Sequence, residues 1–185
     1  DKYELGVAAQ KIYDFIWDSY CDWYIEFTKA RLQGEDQEAK LQAQQVLCYV
    51  LTEMLKLLHP FMPFITEEIW QALPRQSGSD HEGDFLMLQK WPEYRPELSF
   101  PAEEKAVEML METITAVRTR RSEMNVPPSK RAHLTVVTEE TEVFRQGAPL
   151  MLRLAYASDL TLSASADGVS ATPGMVEVVT HAARV

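Results

Sequence analysis

Helical spacing of apolar residues dominates the first 126 positions, and glycine or proline stops each stretch sharply. The pattern predicts a first helix from about residue 6 to Leu32, ended by Gly34. It predicts a second helix from about Glu38 to Leu58. His59-Pro60 stops that helix, because the residue before a proline is disfavoured in the α region. A chain with these signals is expected to pack helix against helix.

Two further helices follow the same logic. Pro63, Thr66 and the Glu67-Glu68 pair indicate the start of a third helix, with carboxylates near its N-terminal dipole. A fourth helix is predicted from about Ala102 to Met124, and the run Asn125-Val126-Pro127-Pro128 ends it. The period then changes from helical to alternating.

Beyond the two prolines, short strands are predicted at His133–Thr138, Leu160–Ser163 and Met175–Thr180. A helix broken by Gly147 and Pro149 is predicted over Thr141–Tyr156. The expected fold class is therefore mainly α: a helical bundle over residues 1–126, followed by a small α+β subdomain over 127–185. The chain opens at Asp1 without a Met and the bundle is one helix short of closure, so we expect a truncated first helix.

The charge balance argues against a nucleic-acid partner until it is divided by segment. The 185 residues include 28 acidic and 18 basic side chains, a net charge of −10. Residues 116–133 hold five cations and one carboxylate, Glu123, and so carry +4, which leaves −14 elsewhere. Such a segment is either a focused positive patch or a set of arginines that satisfy the dipole of a helix C-terminus.

The catalytic inventory is poor. Cys21 and Cys48 lie in apolar helical sequence without a Cys-x-x-Cys pair, which predicts reduced core thiols. His59, which we expect to serve the turn before Pro60, shows no metal-ligand spacing with the other histidines. One helical ridge of carboxylates is expected to be a solvated face or to meet neighbouring cations. Its members are Asp14, Asp18, Asp22 and Glu26. We predict no catalytic residue and no metal ligand.

Aromatic residues crowd the first helix, with seven in the fifteen positions 13–27. They are Tyr13, Phe15, Trp17, Tyr20, Trp23, Tyr24 and Phe27. One helix face cannot hold seven large rings, so some must lie at its margins. Core and rim packing explains most of them, and a platform on which unpaired bases stack is the alternative. Lys29 and Arg31 follow directly and could contact phosphates.

Four motifs together resemble the class I aminoacyl-tRNA synthetases, and their valine branch in particular. They are IWDSYCDWYIEFTKARL over 16–32, LHPFMPFITEEIW over 58–70, WP at 91–92 and VRTRRSEMNVPPSK over 117–130. The isoleucine and leucine enzymes share the PFxxEEIW core, so that run fixes only the subclass. Together the motifs are distributed over residues 7–131 in the family's order.

The resemblance implies an anticodon-binding helical bundle and a tRNA partner, with the remainder of a synthetase chain as the second partner. The parent of such a domain activates valine with ATP and Mg²⁺ in the cytoplasm, charges tRNA and hydrolyses mischarged threonine. The ATP signatures His-x-Gly-His and Lys-Met-Ser-Lys-Ser are absent from this sequence. We therefore expect no cofactor in this segment, no chemistry of its own and no membrane partner.

Two sets of residues are predicted to meet tRNA. The phosphate contacts are Arg118, Arg121, Lys130 and Arg131. The base-facing residues are Trp17, Tyr20, Trp23, Lys29 and Arg31. Two alternatives stay open, namely a helical protein–protein interaction module and the equivalent domain of an isoleucine or leucine synthetase. A complete small enzyme is disfavoured, because no acid, base and nucleophile converge.

Overall fold

A computed structural model describes residues 3–74, 84–165 and 175–185. The chain forms two compact units, one up to Pro96 and one from Glu97 onward. Within the described ranges, no helix is both long enough and apolar enough to cross a membrane. His81, one of the four histidines of the sequence, lies outside the described residues.

The first unit opens with a continuous helical segment whose middle differs from the predicted α-helix. Helices α1 (Leu5–Asp14) and α2 (Ile25–Gln33) flank a π-helix over Phe15–Tyr24. In that π-helix the hydrogen bonds span five residues, so the N–H of Ile25 donates to the carbonyl of Tyr20. The wider turn carries five of the seven aromatic residues of positions 13–27.

Helix α3 (Gln37–Leu58) begins where the sequence predicts. The Asp36 side chain caps it, accepting hydrogen bonds from the backbone N–H groups of Glu38 at 3.0 Å and Ala39 at 3.1 Å. A side-chain oxygen at this position satisfies donors that the helix itself leaves unpaired. The segment after Gly34 is thus a specified turn between two helices.

Helix α4 (Pro63–Ala72) starts earlier than the threonine signal suggests. Thr66 lies inside the helix, fully buried, and its hydroxyl donates to the carbonyl of Met62 at 2.8 Å. The first turn holds no acidic residue, so the predicted carboxylates over the dipole are wrong. His59 closes the α3–α4 turn, as predicted, with Nδ1 lying 2.7 Å from the Thr66 hydroxyl oxygen.

The second unit is built on helix α5 (Pro101–Glu123) and a two-stranded parallel sheet. Strand β1 (Ala132–Val137) pairs with β2 (Ala157–Ser163), and the crossover between them is formed by α6 (Thr141–Gln146) and α7 (Ala148–Leu154). The predicted break at Gly147 and Pro149 is confirmed. The fully buried side chains of this unit include Ile114, Val136, Phe144 and Met151.

The predicted strand over Met175–Thr180 is wrong. Val178 and Val185 exchange two backbone hydrogen bonds of 2.7 and 2.8 Å, and Arg184 exchanges two with Val137 of 2.7 and 2.9 Å. The chain reverses between residues 180 and 183, which leaves only isolated bridges instead of a ladder. The alternating pattern identifies extended backbone but not this early reversal.

The predicted fold class is confirmed, since helices dominate both units and the sheet is small. Helix α5 belongs to the same compact unit as the sheet. The division at residue 126 into a bundle and a subdomain stays a prediction.

Candidate nucleic-acid interface

The basic segment 116–133 occupies the end of α5 and the turn that leads into β1. Asn125 adopts a left-handed conformation with φ of 54°, which asparagine tolerates better than most residues. The N–H of Asn125 donates to the carbonyl of Ser122 and that of Val126 to the carbonyl of Arg121, both at 2.9 Å. This pair of bonds is a Schellman motif, so the helix end is a fixed geometry rather than a frayed one.

Arg121 is bound to its own chain. Its Nη2 donates to the carbonyl oxygen of Pro127 at 3.2 Å and to that of Lys130, while its guanidinium carbon lies 5.8 Å from the centroid of the Tyr156 ring. Arg131 is bound similarly, since Nη1 donates to the carbonyls of Ala157 at 3.0 Å and Leu152 at 3.4 Å. Two of the four predicted phosphate contacts therefore hold backbone.

Arg118 and Lys130 differ from these two arginines. Both are exposed, and neither side chain has a hydrogen bond or ion pair with any residue that the structure describes. Arg120 belongs to neither pair. Its side chain is exposed, but it forms an ion pair with Glu123 at 3.2 Å. The free positive charge of this segment is thus concentrated on Arg118 and Lys130.

The predicted base-facing aromatics fall into different environments. Trp17 is 51 % exposed, and its ring lies 6.2 Å from the ring of Tyr13. Trp23 is half-buried and packs edge-on against Phe27 at 5.7 Å. These two tryptophans keep partly accessible rings on the first helical segment.

Tyr20 is buried and cannot present a ring face to a base in this structure. Its hydroxyl donates to the carbonyl of Leu47 at 3.0 Å, which ties the π-helix to α3. Burial raises the pKa of Tyr20 to about 12, and the neighbouring Cys48 and Cys21 thiols act in the same direction. The role that fits this environment is structural.

The two predicted cations of this segment also differ. Lys29 forms an ion pair with Glu26 one turn earlier, while Arg31 is exposed in the last turn of α2. Burial raises the pKa of the Tyr24 phenol, and the charge of Arg31 opposes that rise. Arg31 therefore lies close enough to Tyr24 to act on it while remaining open to solvent.

The acidic ridge is largely a solvated face, as predicted. Asp14, Asp18 and Asp22 are exposed, and Glu26 is half-buried beside Lys29. Cys21 and Cys48 carry free, half-buried thiols. Across the described ranges, no three His, Cys, Asp or Glu side chains gather in a way that could hold a metal ion.

Tyr156 is the residue that sequence reasoning missed. It supports the Arg121 guanidinium from a left-handed backbone conformation with φ of 56° at the junction of α7 and β2. Local sequence patterns do not predict this contact, because Arg121 and Tyr156 are far apart in the sequence. An unusual non-glycine φ is visible only in the structure.

Comparison with known proteins assigns the chain. The sequence model of the family described as the anticodon-binding domain of tRNA ligase matches residues 1–137, which include the aromatic helix and the whole basic segment. The chain belongs to this family. The predicted resemblance to tRNA synthetases is thereby confirmed, and the protein-interaction alternative is not favoured.

The chain is similar to several curated valine–tRNA ligases. The one from Geobacillus stearothermophilus is 48% identical over 143 residues, which is 77% of this chain and 16% of the relative. The Carboxydothermus hydrogenoformans protein is 49% identical over 145 residues, covering 78% and 16%. The Clostridium acetobutylicum protein is 44% identical over 169 residues, covering 90% and 18%. This anticodon-binding domain thus spans less than a fifth of the length of these relatives.

Proposed function

We propose that this domain recognises the anticodon arm of valine-accepting tRNA as part of a valine–tRNA ligase. The observation that carries the proposal is the family match over residues 1–137, which contains both predicted RNA-contacting sets. Identities of 44–49% to named valine–tRNA ligases support the choice of amino acid.

The phosphate part of the proposal rests on the free cations. Arg118 and Lys130 are exposed and unpaired within the described residues, so they can meet phosphate oxygens without losing an internal partner. Phosphate contacts position the RNA and carry no sequence information. We therefore assign these residues to affinity and register.

The base-reading part rests on the first helical segment. Anticodon bases are unpaired in their loop, so their faces can stack and their edges can be read. Trp17 offers a half-exposed ring beside Tyr13, and Arg31 an exposed guanidinium. One stacked base contributes about 1–3 kcal/mol. Trp23 and Lys29 remain weaker candidates, because Phe27 and Glu26 already engage them.

The parent's chemistry is part of the proposal. Valine activation with ATP and Mg²⁺, transfer to tRNA and hydrolysis of mischarged threonine are assigned to other segments of the ligase. Among the described residues of this domain, no three His, Cys, Asp or Glu side chains gather as a set of metal ligands. The part that this domain plays is to bind the RNA. The remainder of the ligase is the second predicted partner, and the cytoplasm is the predicted compartment.

The test is a salt-resolved RNA titration of the 185-residue chain. One RNA hairpin carries the anticodon arm of valine-accepting tRNA, and a second has only the anticodon replaced. We expect tighter binding of the first hairpin and an affinity that falls with salt at a slope of about −1.4 to −1.8 for two phosphate contacts. Equal affinity for both hairpins would contradict base reading, and a slope near zero would contradict the phosphate contacts.

Matched variants separate the two parts. Arg118→Ala should lower the affinity for both hairpins by the same factor. Arg145 is an exposed arginine of α6 that pairs with Glu142, and Arg145→Ala should leave both affinities unchanged. Trp17→Leu should weaken binding to both hairpins by the loss of one stacked base, and it should leave the salt slope unchanged. Trp91→Leu is its control, because Trp91 is 59 % exposed in the same unit but lies outside the proposed surface.

A further inference from the structure

We infer that Arg121 is a positioning residue, which holds the turn after α5 so that Lys130 is fixed on the side of α5 that carries Arg118. In this arrangement Arg118 and Lys130 both bind RNA phosphates, and Arg121 touches none. The inference rests on the proposed function and deepens it. It separates four cations that look alike in the sequence into two that bind RNA and two that build the site.

The contacts of Arg121 reach both ends of the turn. One guanidinium nitrogen donates to the carbonyls of Pro127 and Lys130, and the N–H of Lys130 donates back to the carbonyl of Pro127 at 3.0 Å. The backbone of Lys130 is thereby held against the side chain of Arg121. Removing the guanidinium would release the Lys130 carbonyl from this anchor.

The position of Arg118 follows from helix geometry. Residues three apart in an α-helix are neighbours on one side, so Arg118 and Arg121 share a side of α5. Because Arg121 reaches the Lys130 carbonyl, the turn returns to that same side. The two free cations therefore flank the anchored one.

The ring of Tyr156 lies against the Arg121 guanidinium. The guanidinium carbon lies 5.8 Å from the ring centroid, within the range of a cation–π interaction. Because its Nη2 also donates to the Pro127 and Lys130 carbonyls, Arg121 cannot turn toward a phosphate without releasing the turn. Arg131, the residue that follows Lys130, is also anchored, because its side chain donates to the Ala157 and Leu152 carbonyls. Lys130 therefore has an anchored position on each side of it in the chain.

The first variant is Arg121→Lys, which preserves charge but lacks the planar fork and the stacking surface. If Arg121 contacted phosphate directly, lysine would retain most of the affinity for the valine-type hairpin. If it positions Lys130, Arg121→Lys should weaken binding as much as Lys130→Ala does, about five- to tenfold at about 0.1 M salt. Thermal melting of each variant in the absence of RNA checks that the fold is intact.

The second measurement is a double-mutant cycle between Arg121→Lys and Lys130→Ala. We expect the double variant to bind no more weakly than the poorer single variant, with a salt slope reduced by about one contact rather than two. Arg120→Ala with Lys130→Ala is the matched control, since Arg120 is a neighbouring cation that pairs with Glu123 instead of the turn, and its effect should add. Additive losses for Arg121→Lys and Lys130→Ala would overturn the inference.

A third variant leaves every charge in place. Tyr156→Leu removes the ring beneath the guanidinium, and it should reduce affinity and be non-additive with Lys130→Ala. Unchanged affinity of a folded Tyr156→Leu chain would contradict the inference. If the unmodified chain binds neither hairpin, the proposed function fails and the inference with it. If the unmodified chain binds and the cycle is additive, the inference alone fails.

Discussion

The two units of this domain differ in where they keep their large apolar side chains. The second unit buries Phe144, Ile114 and Met151 completely. In the first unit the fully buried side chains include two threonines, Thr28 and Thr66, whereas large apolar residues such as Phe64 are exposed. Both units bury apolar side chains, but the first unit buries fewer of them and leaves many more large apolar residues exposed.

This difference indicates where stability and recognition reside. Burial of apolar area stabilises a fold roughly in proportion to the area removed from water, so the second unit depends strongly on a few residues. Exposed aromatics contribute little to stability but remain available to a partner. Substitutions of the same chemical type should therefore have unequal effects in the two units.

The largest effect is expected for Phe144→Ala. The side chain is 0 % exposed, and its removal should lower the free energy of unfolding by about 3–5 kcal/mol through lost burial and a cavity. Phe64→Ala is the matched control in the first unit, where the ring is 90 % exposed and the change should stay within about 0.5 kcal/mol. Urea titration followed by far-UV circular dichroism measures both.

Tryptophan fluorescence, measured in the same urea titration, distinguishes the unfolding of the two units. All four, Trp17, Trp23, Trp70 and Trp91, lie in the first unit, so their fluorescence reports that unit alone. If the fluorescence transition of Phe144→Ala stays in place while the dichroism transition moves, the units unfold separately. Equal decreases in the free energy of unfolding for Phe144→Ala and Phe64→Ala would contradict the difference that we describe between the two units.

Replacing a glycine by alanine should change the free energy of unfolding by a smaller amount. The change should be destabilising in the second unit and stabilising in the first. A Cβ on Gly147 would lie 2.5 Å from both Cδ atoms of Leu110, so Gly147→Ala should cost about 1–3 kcal/mol by overpacking. A Cβ on Gly6, in α1, would meet nothing within 4 Å, and Gly6→Ala should stabilise by about 0.5–1 kcal/mol. An unchanged melting temperature for Gly147→Ala would mean that the Leu110 side chain moves aside without cost, and an unchanged value for Gly6→Ala would contradict the expected gain from helix propensity.

Local signals explain which parts of the fold can be predicted. The end of α2 follows from Gly34, the start of α3 from Asp36 and the end of α5 from the two prolines after Val126, and each signal acts on its immediate neighbours. Helix α4 starts at Pro63, as predicted, but Thr66 lies inside the helix and donates back to the Met62 carbonyl instead of marking the start. The residue type is informative, but its hydrogen-bond partner is not predictable from the sequence.

The candidate site shows the same limit at longer range. The charge excess of residues 116–133 is visible in the sequence, but the division of its cations is not. Arg121 and Arg131 find their partners at Tyr156 and Ala157, which the chain brings back only through the crossover of the sheet. The aromatic neighbours of Tyr20 favour a base-facing role, whereas its hydroxyl is bonded to α3.

The smallest expected effect is a pH dependence confined to the second unit. Nδ1 of His181 lies 2.7 Å from Oε1 of Glu112, and the His181 backbone N–H donates to the same oxygen at 3.3 Å. The side-chain hydrogen bond with Glu112 raises the pKa of His181, and the side-chain hydrogen bond with His181 lowers the pKa of Glu112.

The sign of the effect follows from linkage. The stabilising free energy that His181 contributes is fully present below its ordinary pKa of 6.5, and it is lost as the pH rises through the raised pKa. The contribution of Glu112 is complete above its ordinary pKa of 4.5 and is lost as the pH falls. The pair therefore stabilises the second unit most between 4.5 and 6.5. His181→Gln should lower the melting temperature at about pH 5.5 and leave it almost unchanged at about pH 8.5. A loss of equal size at both pH values would show that the imidazolium form adds nothing. Because the His181 side chain is almost fully exposed and that of Glu112 partly exposed, the difference should also shrink as salt is added.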